Sequence, residues 1–276
     1  MDTKNMSKFV SFVPKSLVQS FMVVALIISA FFIGSLKTKV DFYEKGQALG
    51  TTNTAQPSAQ QPTPAQPTIT LDQIKKVFSQ NVIKFGDAGK KLLLVEIADP
   101  SCPYCHVAGG VDPELNKQIG TQFTLVKDGG AYVAPVPEMK KLVDSGKAAF
   151  AYIYYPGHGN GEMGMKALLC ANEKGKFWDV HDLLMSNAGY DLMNTKVKND
   201  KTKSQDVADF LQPVFDSSAM KSCLDSGKYD GALQDDIKLA TTLGVQGTPG
   251  FFVNTTVFAG AYNFKDMQSA VDAALK

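Results

Sequence analysis

An α/β domain, with a central sheet covered by helices on both faces, is the fold class that the sequence predicts for residues 69–276. Three observations predict it. Two short apolar runs, residues 91–97 (KLLLVEI) and 148–155 (AAFAYIYY), read as buried strands. Stretches with helical spacing of apolar residues lie between and after them. Near the C-terminus, Phe251-Phe252-Val253 and Thr256-Val257-Phe258 flank Asn254-Thr255, the composition of a β-hairpin. The order strand, helix, strand, helical block, hairpin, helix suits layered packing around one sheet.

The chain has 276 residues, 44% of them hydrophobic, which is enough for one good-sized core. Its N-terminus carries Lys4, Lys8 and Lys15, and residues 16–36 are then apolar apart from Gln19 and a few serines. About 20 such residues cross a hydrocarbon core of roughly 30 Å. The expectation is a cytoplasmic segment over 1–15 and a single transmembrane signal anchor over 16–36. A cleaved signal peptide is the alternative. The small-residue pattern that cleavage needs is poor at 31–36 and better only at 48–50. No cysteine stands directly after the apolar run, which excludes lipoprotein processing. The lysines before the run favour a cytoplasmic N-terminus, and Lys37 and Lys39 weaken that signal. With either outcome the remainder is exported, so the expected location is the cell membrane, with the folded domain on the extracytoplasmic side. Residues 37–68 read as a disordered linker. Its stretch 51–68 (TTNTAQPSAQQPTPAQPT) has no aromatic residue and no charge, and cannot bury enough apolar surface to order itself.

From residue 69 the texture is globular. Leu71, Ile74, Val77 and Phe78 predict a helix over 71–83, with Asp72 near its start. The second strand stops at Pro156-Gly157. Helices are predicted over 163–185, 206–215, 219–225 and 229–243, the last ended by Gly244, and over 263–275 from a plausible Asn263 cap. Residues 122–137 read as an extra hairpin or loop turning at Gly129-Gly130, and 196–203 (KVKNDKTK) as a solvated loop. Lys+Arg 28 against Asp+Glu 27 leaves a formal charge of +1, which gives no electrostatic reason to expect a nucleic-acid partner.

The chemistry lies in the four cysteines, which divide into a close pair, Cys102 and Cys105, and a distant one, Cys170 and Cys223. Cys102-Pro103-Tyr104-Cys105 places two sulfurs one helical turn apart, directly after a strand. Pro103 suits a first helical turn, where its missing N–H has no partner to lose. Cys102 then sits at a helix N-terminus, where free N–H groups favour the thiolate and lower its pKa from about 8.5 to roughly 3.5–7.5. Cys102 is expected to be the exposed, attacking sulfur and Cys105 the resolving one. Zinc binding competes poorly, since no second C-x-x-C exists. Covalent haem is a further alternative, because Cys102–Cys105 followed by His106 matches C-x-x-C-H, although a buried strand leads into the motif here. A structural or vestigial pair, within a non-catalytic peptide-binding module, is the blandest reading.

Several distant segments agree with one another. Residues 95–105 (VEIADPSCPYC), Lys174-Gly175-Lys176-Phe177-Trp178 with His181-Asp182-Leu183-Leu184, and residues 244–254 (GVQGTPGFFVN) together resemble the DsbA-like branch of the thioredoxin superfamily. The resemblance covers residues 69–276. It implies a thioredoxin-like fold with a helical insertion over about 157–236, and thiol–disulfide exchange by Cys102 and Cys105 with no bound cofactor. Pro249 is then cis and faces the dithiol, with Thr248 tuning the sulfurs, and this loop offers backbone groups to an extended substrate segment. Glu96, six residues before Cys102, falls where the family keeps a buried acid that moves a proton to or from Cys105. Pro103, Tyr104 and His106 become candidates for tuning the site. Partners implied are exported proteins with cysteines and a membrane re-oxidant of the DsbB or VKOR type. An oxidant is favoured, with a reductase or isomerase as alternatives.

The chain departs from the family pattern where Gly109-Gly110 and Asp112-Pro113 interrupt the expected active-site helix, in the segment 122–137, and at Gly250, small where larger residues are common. The resemblance also implies a structural disulfide between Cys170 and Cys223, stabilising by roughly 4 kcal/mol through loop closure. Two buried free thiols are the alternative. His106 is expected to be partly exposed and incidental. His158 and His181 are expected to be satisfied structural histidines, and Trp178 a core residue.

Overall fold

A computed structural model describes residues 69–276. The N-terminal segment 1–15, the anchor expected over 16–36 and the linker over 37–68 lie outside the described residues. Among those described, no helix is long and apolar enough to cross a membrane.

Five strands form one sheet in the order β1-β3-β2-β4-β5: β1 Ile83–Phe85, β2 Leu92–Ala98, β3 Ala148–Tyr154, β4 Gly250–Val253 and β5 Thr256–Ala259. β2 and β3 are parallel, and every other pairing is antiparallel. Both central strands are buried along their whole length, so each reads as a continuous apolar run rather than an alternating one. Alternation still decides which face each residue meets. Leu92, Leu94 and Ala98 join Phe150, Tyr152 and Tyr154 in the larger core cluster, while Leu93, Val95 and Ile97 join Ala149, Ala151 and Ile153 in the smaller. Glu96 shares the period of Leu94 and Ala98, and therefore points into the larger core.

Between β2 and β3 run α1's successors α2 Pro103–Gly109, α3 Pro113–Ile119 and α4 Pro135–Asp144, where α1 is Leu71–Val77 before β1. Six further helices lie between β3 and β4: α5 Glu162–Asn172, α6 Phe177–Leu184, α7 Asn187–Asp191, α8 Ser204–Leu211, α9 Ser217–Asp225 and α10 Asp230–Thr242. The C-terminal helix α11 spans Phe264–Leu275, and Asn263 caps it as expected. The smaller core takes Ile74 and Val77 of α1 and Ala240 of α10.

Several expectations are corrected. The helix expected over 71–83 ends at Val77, and Ile83 opens the edge strand β1. The helix expected over 163–185 is two, because Gly175 adopts φ +67° and turns the chain between α5 and α6. Of the hairpin or loop expected over 122–137, the structure has the loop: two 3-10 turns and a single bridge, Leu125 to Tyr132, lead into α4. The run 196–203 is not simply a solvated loop. A π-turn over Leu192–Val197 buries Val197, and Lys196 pairs with Asp206 at 2.8 Å. The interruption read at Gly109-Gly110 is present: Gly110, at φ +61°, ends α2 after seven residues. Asp112 then caps α3.

Candidate active site

β2 runs into the turn Asp99-Pro100-Ser101, and Cys102 follows as the N-cap of α2, with Pro103 in the first helical turn. Cys102 and Cys105 are both free thiols. On the facing side, the Thr248–Pro249 peptide is cis, and Cys102 Sγ donates to the Thr248 carbonyl at 3.4 Å. β4 starts at Gly250 beside Ile97, so antiparallel pairing of β4 with β2 sets this loop against the two sulfurs.

The sulfurs are electrically unequal. The Cys105 thiol donates to Cys102 and lowers its pKa to about 6, against the opposing effect of burial. The Thr248 side chain and the backbone N–H groups of Cys105 and Tyr104 add to the lowering. Burial holds Cys105 well above the ordinary thiol range, and its bond to Cys102 and that neighbour's charge push the same way. The Asp99 N–H, 3.4 Å from Cys105 Sγ, opposes them. Glu96 is 1% exposed, its Oε2 has no hydrogen-bond partner among the described residues, and burial pushes its carboxyl up to about 8. It is a carboxylic acid, not a carboxylate, at neutral pH.

Two side chains of the C-x-x-C-H segment differ from expectation. Cys102 is only 5% exposed, and its sulfur lies against the Thr248 carbonyl of the cis-proline loop. The most exposed side chain of the C-x-x-C is Tyr104, whose ring meets Phe123 edge-on at 5.9 Å. His106 is fully buried rather than partly exposed. Its ring nitrogens lie 2.9 Å from the Pro100 carbonyl and 3.0 Å from the Met185 carbonyl, tying the active-site turn to the end of α6. Burial lowers its pKa, and the two carbonyls oppose that effect. Both nitrogens face carbonyl oxygens of the chain, which leaves neither for the haem iron that C-x-x-C-H allowed.

Cys170 and Cys223 form a disulfide joining α5 to α9. His181 is buried and bonds Asp182 through Nδ1, among the rings of Tyr152, Phe177 and Trp178. The side chain of His158 is exposed, contrary to the structural role expected, and it is its backbone N–H that is engaged.

The sequence reading missed the residues that frame the dithiol. Asp99 and Ser101 are fully buried and bond each other, and Asn194 of the π-turn donates to the Ser101 carbonyl at 3.0 Å. Gly157 lies against Thr248: a Cβ there would come within 1.9 Å of Thr248 Oγ1. The signal available was the turn-forming Asp-Pro-Ser immediately before Cys102.

A family profile described as thioredoxin matches residues 136–273. Among curated proteins, the chain is 25% identical over 193 residues to the Na(+)/H(+) antiporter NhaA 3 of Salinispora tropica, covering 68% of this chain and 24% of that one. The chain thus spans about a quarter of the length of the curated relatives it matches. Oxidised BdbD of Bacillus subtilis aligns with a TM-score of 0.51 at 17% identity, over 70% of this chain and 92% of that one. Alpha-DsbA1 of Wolbachia pipientis aligns with a TM-score of 0.52 at 19% identity, over 71% and 91%. At these identities the likeness is one of fold.

Proposed function

The chain belongs to the thioredoxin family, and from that premise we propose that it is a thiol–disulfide oxidoreductase that oxidises exported proteins through Cys102 and Cys105. The observation that carries the reading is the pairing of a Cys102 thiol with a pKa of about 6 and a Cys105 thiol held far above it, under the Thr248–Pro249 loop. In the oxidised enzyme a substrate thiolate attacks Cys102 Sγ. The Cys102–Cys105 bond breaks, and Cys105 leaves with the electron pair. Being strongly disfavoured as a thiolate, it takes a proton, and Glu96 is a protonated acid buried in the same core. A second substrate thiolate then attacks the substrate sulfur of the mixed disulfide, and Cys102 leaves as a stabilised thiolate. Two electrons pass from substrate to enzyme, and one disulfide forms.

Easy departure of Cys102 favours oxidation of substrates, since stabilising the reduced enzyme makes its disulfide the stronger oxidant. Proteins that carry cysteines across a membrane are the substrates this implies. The apolar run at 16–36 supports a single-pass membrane tether with the domain on the extracytoplasmic side. A quinone-linked membrane protein of the DsbB or VKOR type would restore the Cys102–Cys105 disulfide. The reduction potential of the couple tests the direction. A value near about −120 mV supports the oxidant, and one near about −270 mV makes the protein a reductase.

A further inference from the structure

We infer that Asp99 is a positioning residue that aims the Thr248 hydroxyl at Cys102, through a clamp on the loop 157–160. The inference rests on the exchange reading above and adds to it a contact that helps to hold the attacking thiol as its thiolate.

Asp99 is 0% exposed and accepts four hydrogen bonds. Its Oδ1 takes the Ser101 N–H at 2.8 Å and the Ser101 hydroxyl at 2.7 Å. Its Oδ2 takes the backbone N–H groups of His158 at 2.8 Å and Gly159 at 3.1 Å. The Ser101 hydroxyl in turn accepts from the Asn160 N–H at 3.0 Å. One carboxylate thus fixes the turn leading into Cys102 and, 59 residues away in sequence, the loop after β3. That loop carries Gly157, whose backbone packs on Thr248 so closely that no side chain fits between them. Thr248 Oγ1 is buried and has no hydrogen-bond partner among the described residues. A buried hydroxyl without a partner is destabilising, unless a partner arises in another state. A Cys102 thiolate is such a partner, and it is the state that the exchange reaction produces. Gly157 keeps the hydroxyl from turning away, and Asp99 keeps Gly157 in place.

The test is ultraviolet titration of the Cys102 thiolate in the whole protein. Asp99→Asn puts an amide donor against backbone N–H groups. It should raise the titration midpoint by about one pH unit, a tenfold loss of thiolate, and shift the reduction potential by up to about 30 mV. Ser101→Ala should move it less, and Gly157→Ala should move it comparably to Asp99→Asn. In a Thr248→Val background the Asp99→Asn shift should disappear, whereas Thr248→Ser should retain it; a merely structural role would give additive shifts instead. If Asp99→Asn does not fold, Ser101→Ala and Gly157→Ala decide, and unmoved midpoints in both overturn the clamp. A wild-type midpoint near 6 with unmoved variants overturns the clamp alone. A wild-type thiol titrating near 9 overturns the exchange reading and the clamp with it.

Discussion

The molecule holds two cysteine pairs in one core, and the contrast between them shows what makes a disulfide reactive. Cys170 and Cys223 join two helices, α5 and α9, across a separation of 53 residues. Neither titrates, and their bond closes a long loop. Cys102 and Cys105 span one turn at a helix start, with an acid on the strand beneath, backbone N–H groups at the sulfurs and a proline loop across the top. Side-chain chemistry is the same in both; the polar surroundings differ. Removing either pair should therefore produce opposite phenotypes.

The largest effect is expected at the dithiol. Cys102→Ser should abolish exchange, while thermal unfolding in the reduced state changes little. In the wild type, alkylation at Cys102 should rise tenfold per pH unit and level off above about pH 6, with Cys105 unreactive through neutral pH. Rapid-quench labelling with mass mapping reads both. Equal labelling of the two thiols would erase the asymmetry on which the comparison stands.

Next comes the other pair. Replacing Cys170 and Cys223 together with Ala should cost about 4 kcal/mol of folding stability in the chain-entropy treatment, read by chemical denaturation. The Cys102 titration should not move. A shift there would mean that the two regions are coupled through the helical block.

How far this contrast could be read from sequence depends on the distance over which each part is specified. The dithiol, its Pro103 and the strand before it are contiguous, so local pattern reveals them. Thr248 and Pro249 are remote, and only their agreement with the family pattern placed them. Asp99 is different in kind. Its partners at 158–160 are backbone N–H groups, which any residue but proline supplies, so no side-chain pattern announces them. The three-residue strand Ile83–Phe85 was lost because a helical apolar spacing runs directly into it. His106 was misjudged because the two carbonyls that bury it come from Pro100 and from Met185, and the second is set by tertiary packing alone.

A smaller effect, with a sign opposite to that of most buried substitutions, is expected at Glu96. Folded, its carboxyl stays protonated up to about pH 8; unfolded, it ionises near 4.5. Between those values folding must take up a proton, at about 1.4 kcal/mol per pH unit. The penalty is absent at pH 4.5 and about 3 kcal/mol at pH 7. Glu96→Gln removes the titration but buries an amide, so a net gain of roughly 2 kcal/mol is expected at pH 7, vanishing near pH 4.5. Exchange should slow by about a hundredfold if Glu96 serves Cys105 as its proton source. Stability that falls at pH 7 would show that the acid is ionised in the folded protein.

The smallest effect separates side chain from backbone at the loop beside the dithiol. His158→Ala should leave both the Cys102 titration and the unfolding free energy within about 0.5 kcal/mol, because an exposed imidazole is removed and the N–H to Asp99 stays. His158→Pro removes that same N–H, and leaves Asp99 Oδ2 with the Gly159 N–H alone. If the loop acts through its backbone, proline should raise the Cys102 midpoint and alanine should not. Equal shifts from the two would place the effect in the imidazole, and the contrast between the two cysteine pairs would then need a charged side chain that the bonding around Asp99 does not include.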